Sequence, residues 1–161
     1  MEDDDRYLVV AGRRWRRSDP SIPTPFHQEL VDELMDARRA VKAGKGDDDA
    51  VTSARARVDA AKRAHGERGR PWWEPPTATG RDRRLRATTL ALARHRAPKT
   101  ICPSDVARTA GGPSWRDLME DTRSVVRQLA VAGDVEVLQK GEVLDPTAGW
   151  KGPVRIRLVE R

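Results

Sequence analysis

The chain has 161 residues, 37% of them hydrophobic and 35% charged, with a net charge of +6 and an isoelectric point of about 10.1. Its patterned Leu, Val and Ala exclude a wholly disordered chain and allow one ordinary core or two small ones, while a single cysteine excludes a disulfide framework and a cysteine-rich zinc site. No apolar run approaches the roughly 18–20 residues of a membrane helix, and the start Met-Glu-Asp-Asp-Asp-Arg lacks the order of a secretory signal, so the expectation is a cytoplasmic protein with no membrane association.

The basic excess belongs to one half. Residues 1–80 hold 15 Lys plus Arg against 15 Asp plus Glu, and residues 81–161 hold 16 against 10. Tyr7 to Arg17 reads as two short strands around Ala11-Gly12, where glycine supplies the positive φ of a tight turn. Three prolines then interrupt regular structure up to Thr24, an expected N-cap with Pro25 at the first helical position. Phe26, Leu30, Leu34, Ala37 and Val41 form one apolar stripe ending near Gly44, and Val51, Ala54, Val58, Ala61 and His65 form a second. These predict an antiparallel helical hairpin ending at Gly66, with Trp72 and Trp73 closing its core against Trp15. The first module is expected over residues 1–76 and a linker over 77–80.

The second domain, 81–161, is predicted to open with a helix from Arg81 to Arg96, its apolar face carrying Leu85, Thr89, Leu92 and Ala93. A short extended piece at Ile101 follows, then a helix from Pro103 to about Thr109 and a turn at Gly111-Gly112-Pro113. A third helix, Trp115 to Ala132, is expected with Ser114 as its N-cap. After Gly133 the period falls to 2 at Val135, Val137, Val154, Ile156 and Leu158, as in half-buried strands. The fold class is therefore α+β and mainly helical: a β-hairpin, an antiparallel helical hairpin and a winged helix-turn-helix domain.

Ile101-Cys-Pro-Ser-Asp-Val-Ala-Arg108, Trp115-Arg-Asp-Leu-Met119, Gln139-Lys-Gly141, Asp145-Pro146 and Gly152-Pro-Val-Arg-Ile-Arg157 resemble, in that order, a small bacterial domain of unknown function. The resemblance covers the C-terminal half and implies a winged-helix-like fold without an established activity. The N-terminal half resembles a helical hairpin found in actinobacterial relatives.

In such a fold the third helix enters the major groove and the wing holds phosphates, so the candidate nucleic-acid-binding residues are Arg116, Arg123, Arg127, Gln128, Lys140, Lys151, Arg155 and Arg157. Arginine can contact guanine and glutamine adenine, whereas Asp117, Glu120 and Asp121 on the same helix oppose phosphate. The expected partner is duplex DNA. The alternative is a protein-interaction adaptor that docks through the N-terminal hairpin and the winged helix. Cys102 at a helix start reads as a small core residue, the acidic run Glu2–Asp5 as a solvated tail and Asp47–Asp49 as acids suited to a helix N-terminus. No phosphate loop, zinc motif or nucleophile elbow is present, so no catalytic residue, metal or cofactor is expected.

Overall fold

The computed structural model describes residues 3–160; Glu2 of the first acidic run and Arg161, the last residue of the expected second domain, lie outside them. A one-turn helix α1 (Asp3–Arg6) leads into an antiparallel hairpin of β1 (Tyr7–Val10) and β2 (Arg13–Arg16). Ala11 and Gly12 turn it at φ of 52° and 77°, the doubly positive pair that matches strand twist.

Helix α2 (Thr24–Ala43) starts one residue earlier than expected, because Pro23 takes the N-cap position and Thr24 is already helical. Helix α3 (Asp48–His65) is capped by Asp47, which accepts from the Ala50 N–H at 3.1 Å, and stopped by Gly66 at φ 93°. His27 stacks on His65 and Glu33 pairs with Arg57, so partners run in opposite order and the hairpin is antiparallel. Glu33 is 1% exposed and is held by two bonds from the Arg57 guanidinium, at 2.8 and 3.2 Å. The tryptophans pack differently from expectation. Trp73 meets Tyr7 edge-on at 5.5 Å and Trp72 at 5.2 Å, whereas Trp15 lies beneath Arg13 and Lys62.

Helix α4 (Ala78–Arg96) organises the rest. Residues 77–80, expected as a linker, are its N-cap and first turn: the Thr77 hydroxyl accepts from the Gly80 N–H at 3.1 Å. Leu85, Thr89, Leu92 and Ala93 are buried as expected, and so are Ala87, Thr88 and Ala91, leaving few exposed positions along its length. Small residues on both α4 and α3 let the helices approach closely. Ion pairs fasten α4 to other parts of the chain: Arg84 to Asp19 before α2 at 2.9 Å, and Arg96 to Glu29 of α2 at 2.7 Å and to Asp105 at 3.1 Å. One core cluster consequently joins Leu30 and Ala64 to Leu85, Leu92, Val126 and Ile156.

Beyond α4 come α5 (Pro103–Gly111), a 3-10 segment (Gly112–Leu118) and α6 (Met119–Val131). The helix expected from Trp115 thus begins at Met119. Gly112 at φ 53° followed by Pro113 bends the chain sharply, and Ser114 at φ −93°, ψ 18° is non-helical and does not cap. Strands β3 (Val135–Gln139), β4 (Glu142–Val143) and β5 (Arg155–Leu158) form an antiparallel sheet in the order β4-β3-β5. Ile101 extends it through an antiparallel bridge to Ile156, with two hydrogen bonds of 2.8 Å. The architecture is α+β, and among the described residues no helix is long and apolar enough to cross a membrane.

Burial, with help from His65, holds the His27 pKa below its ordinary value, against a weaker pull from Glu67. A depressed histidine pKa means the unfolded chain binds more protons, so this contribution is intact above pH ~6.5 and is lost as pH falls below it. Urea unfolding should therefore show lower stability at about pH 5.5 than at about pH 7.5, with the difference reduced in His27→Gln.

Candidate nucleic-acid interface

The surface of α5, the 3-10 segment, α6 and the β4–β5 loop is built around two tryptophans. Helix α5 starts at Pro103, and the Asp105 carboxylate accepts from the Cys102 N–H at 2.9 Å, securing the first turn. It presents Arg108, whose guanidinium lies 4.8 Å from the centre of the Trp115 ring; Arg116 lies 4.5 Å from the same ring. Helix α6 buries Thr122, Val125, Val126 and Leu129, which turns Arg123 and Arg127 outward. These two sit over Trp150, at 5.8 and 4.7 Å from the ring centre. Such contacts stabilise by about 0.5–1 kcal/mol each at exposed sites, enough to orient the guanidinium planes.

The loop that brings Trp150 there is tied down at several points. Arg123 donates to the Gly152 carbonyl at 3.1 Å, and the Gln139 amide donates to the carbonyls of Lys151 at 2.6 Å and Pro153 at 3.2 Å. At its start the Asp145 carboxylate accepts from the Thr147 N–H and hydroxyl, at 2.8 and 2.6 Å, and these bonds hold the Asp145 pKa below the ordinary carboxylate value. Lys151 is exposed within this loop. Lys140 is exposed at the β3–β4 turn, where it and Gly141 adopt φ of 52° and 82°.

The other candidate residues stand apart from the tryptophans. Gln128 is held by Arg86 of α4 and lies 3.4 Å from Ser124. Arg155 and Arg157 project from the face of β5 opposite Val154 and Ile156. Arg157 pairs with Glu136 at 2.6 Å, and Arg155 donates to the Thr100 hydroxyl at 2.8 Å, to the Thr100 carbonyl at 3.2 Å and to the Cys102 sulfur. Their charge is engaged in holding the sheet edge. Of the nearby acids, Asp121 of α6 lies 4.0 Å from Arg81, while Asp117 of the 3-10 segment and Glu120 of α6 are exposed.

Arg108, Arg116, Arg123 and Arg127 are the distinctive group. Each lies against an indole, and none has a carboxylate ion-pair partner among the described residues. Sequence reasoning missed Arg108; its position on the outer face of α5, seven residues before Trp115, was the available signal. All four arginines and both tryptophans fall within one segment of the chain. Residues 82–159 match the family described as "Protein of unknown function (DUF3253)". The DUF3253 match begins inside α4 and runs through β5, so the C-terminal half is a domain of unknown function. No curated protein matches the chain. Among the described residues no group of three His, Cys, Asp or Glu side chains converges as a metal site would require.

Proposed function

We propose that the DUF3253 segment is a winged helix-turn-helix that binds duplex DNA. The order helix, bridge strand, helix, helix, strand, loop, strand supports the fold: α5 and α6 take the places of the two helix-turn-helix elements, and the Trp150 loop that of the wing. The observation that carries the function is the set of four arginines without ion-pair partners among the described residues, lying over Trp115 and Trp150. Arg116, Arg123 and Arg127 follow one another at spacings of seven and four, one stripe along α6 and its approach. Stacked guanidinium groups keep their charge and N–H donors available for phosphate oxygens and guanine edges. Glu120 interrupts the stripe and would disfavour indiscriminate phosphate contact, which gives the surface a preference in how it seats on a duplex.

The test is fluorescence-anisotropy titration of a labelled random-sequence duplex with the intact protein at several salt concentrations. Binding is expected to weaken with salt, and the double variant Arg123→Ala/Arg127→Ala to reduce the log–log salt slope by about 2 and the affinity by about tenfold or more. Absence of binding at low salt would sink the reading.

A second reading, an adaptor for a protein partner, draws on a different observation. Val9 and Val10 of the β-hairpin are 67% and 55% exposed, an apolar edge at the far end of the chain from the arginine stripe.

A further inference from the structure

We propose that the chain carries a second site, a cleft that takes a nucleoside phosphate. The cavity, about 520 Å³, opens where the segment after α3, the first turns of α4, the end of α5 and the 3-10 segment meet. It is separate from the Trp150 face and goes beyond the reading of that face.

Its walls carry six arginines, Arg63, Arg68, Arg70, Arg81, Arg83 and Arg84, against three carboxylates, Asp19, Glu74 and Asp117. Charge compensation among them is incomplete. Arg63 and Arg68 share the single carboxylate of Asp59, at 2.9 and 2.7 Å, and Arg84 takes Asp19. Arg70 and Arg81 reach Glu74 and Asp121 at 3.7 and 4.0 Å, long contacts between partly exposed groups. Arg83 is exposed and has no ion pair among the described residues. With Asp59 and Asp121 included, the surplus is a single positive charge, and guanidinium groups are suited to phosphate through their planar fork of donors.

The first turn of α4 borders the same cavity with Thr79, Gly80 and Arg81. Thr77 satisfies the N–H groups of Gly80 and Arg81, at 3.1 and 2.9 Å, and the helix itself offers no partner to the amides of Ala78 and Thr79. A Cβ on Gly80 would stand 3.0 Å from the Thr77 hydroxyl and 3.4 Å from Arg70, so glycine keeps this turn close against the arginine wall. Pro71, Trp72, Pro76, Ala110 and Leu118 give the wall an apolar part, beside the hydroxyls of Ser21 and Ser114. The Trp72 indole is fixed by its bond to the Arg17 carbonyl at 2.9 Å and its edge contact with Trp73. A cleft lined by both guanidinium groups and a fixed indole with prolines fits a ligand that has an anionic part and a flat part. The volume lies within the range of small-molecule sites.

The experiment is calorimetric titration of the full chain at low salt with ADP, and separately with inorganic pyrophosphate and adenosine. ADP is expected to bind with micromolar affinity, and each of its parts about tenfold or more weaker. Arg81→Ala/Arg83→Ala should weaken ADP binding by about tenfold or more with unchanged far-UV circular dichroism, and the single exposed change Arg83→Glu should act in the same direction. No saturable binding of ADP up to about 1 mM, or unchanged affinity in these variants, would overturn the site. Pyrophosphate binding as tightly as ADP would remove the ring-binding role of Trp72 and overturn the assignment to nucleoside phosphates. The Arg123→Ala/Arg127→Ala variant should bind ADP like the parent, so failure of the duplex reading and failure of this one are distinguishable.

Discussion

Replacing Glu33 by methionine is expected to lower the free energy of unfolding by about 3 kcal/mol, the effect of removing one partner from a buried charge cluster. Glu33 is 1% exposed, pairs with Arg57 and acts electrostatically on Arg94. Arg57 makes the direct bonds, and its side chain, 30% exposed, can swing to water when the carboxylate is lost. Arg94 has less freedom: burial lowers its basicity, Arg57 repels it, Glu33 and Asp134 sustain it, and its Nη1 is buried without a hydrogen-bond partner. Most of the loss should therefore come from Arg94. The double variant Glu33→Met/Arg94→Met should recover about half of it, because an apolar replacement of buried charges is often neutral or stabilising. Urea unfolding monitored by circular dichroism provides the numbers. A double variant that is as unstable as the two single losses summed would show that Arg94 is not coupled to Glu33.

Truncating Leu92 to alanine is expected to cost about 3 kcal/mol, within the roughly 2–5 kcal/mol seen for fully buried leucines. Leu92 is 0% exposed, about one turn from the end of the helix that touches both halves, and belongs to the cluster containing Leu30 as well as Val126 and Ile156. The loss should be felt throughout. Tryptophan fluorescence and far-UV circular dichroism should report the same midpoint before and after the change, with the variant's midpoint at lower denaturant. Two separated transitions, one of them unmoved by Leu92→Ala, would show that the N-terminal helices unfold independently of α4.

The parts of the fold that could be read in advance are those whose residues declare a period or a stop. The α2 stripe of Leu30, Leu34 and Ala37, the acidic start of α3 and the Gly66 stop needed no tertiary information, and the change of period after Gly133 marked the sheet. Helix α4 was half legible. Its leucines point one way, but Ala87, Thr88 and Ala91 are too small and mild to announce that the opposite side is buried too. The 3-10 segment was read as the start of α6 because Trp115 and Leu118 continue the helical spacing, while the bend at Gly112-Pro113 depends on backbone geometry that spacing does not reveal. Long-range pairings such as Glu33 with Arg57 and Arg157 with Glu136 were invisible, since charge on a predicted surface says nothing about what faces it. The same holds at the candidate interface. Arg123 and Arg127 could be named, but their contact with Trp150, the addition of Arg108 and the diversion of Arg155 and Arg157 to the sheet edge are products of packing.

The burial of α4 on opposite sides also bears on how such a domain can be inherited. Ala87, Thr88 and Ala91 lie on the side that carries Arg84, which donates to the Ala64 carbonyl of α3, and Arg94, which Glu33 sustains, and Ala91 joins Leu85 and Leu92 in the one core cluster. The DUF3253 match starts at residue 82, after the cap and first turn of this helix. A chain carrying the matched segment alone would lose that first turn and leave a strip of alanine and threonine facing water where two helices now lie. Any lineage that sheds the N-terminal hairpin must either polarise that strip or recruit another surface to cover it, so residues 87, 88 and 91 are where such a gain or loss would leave its trace.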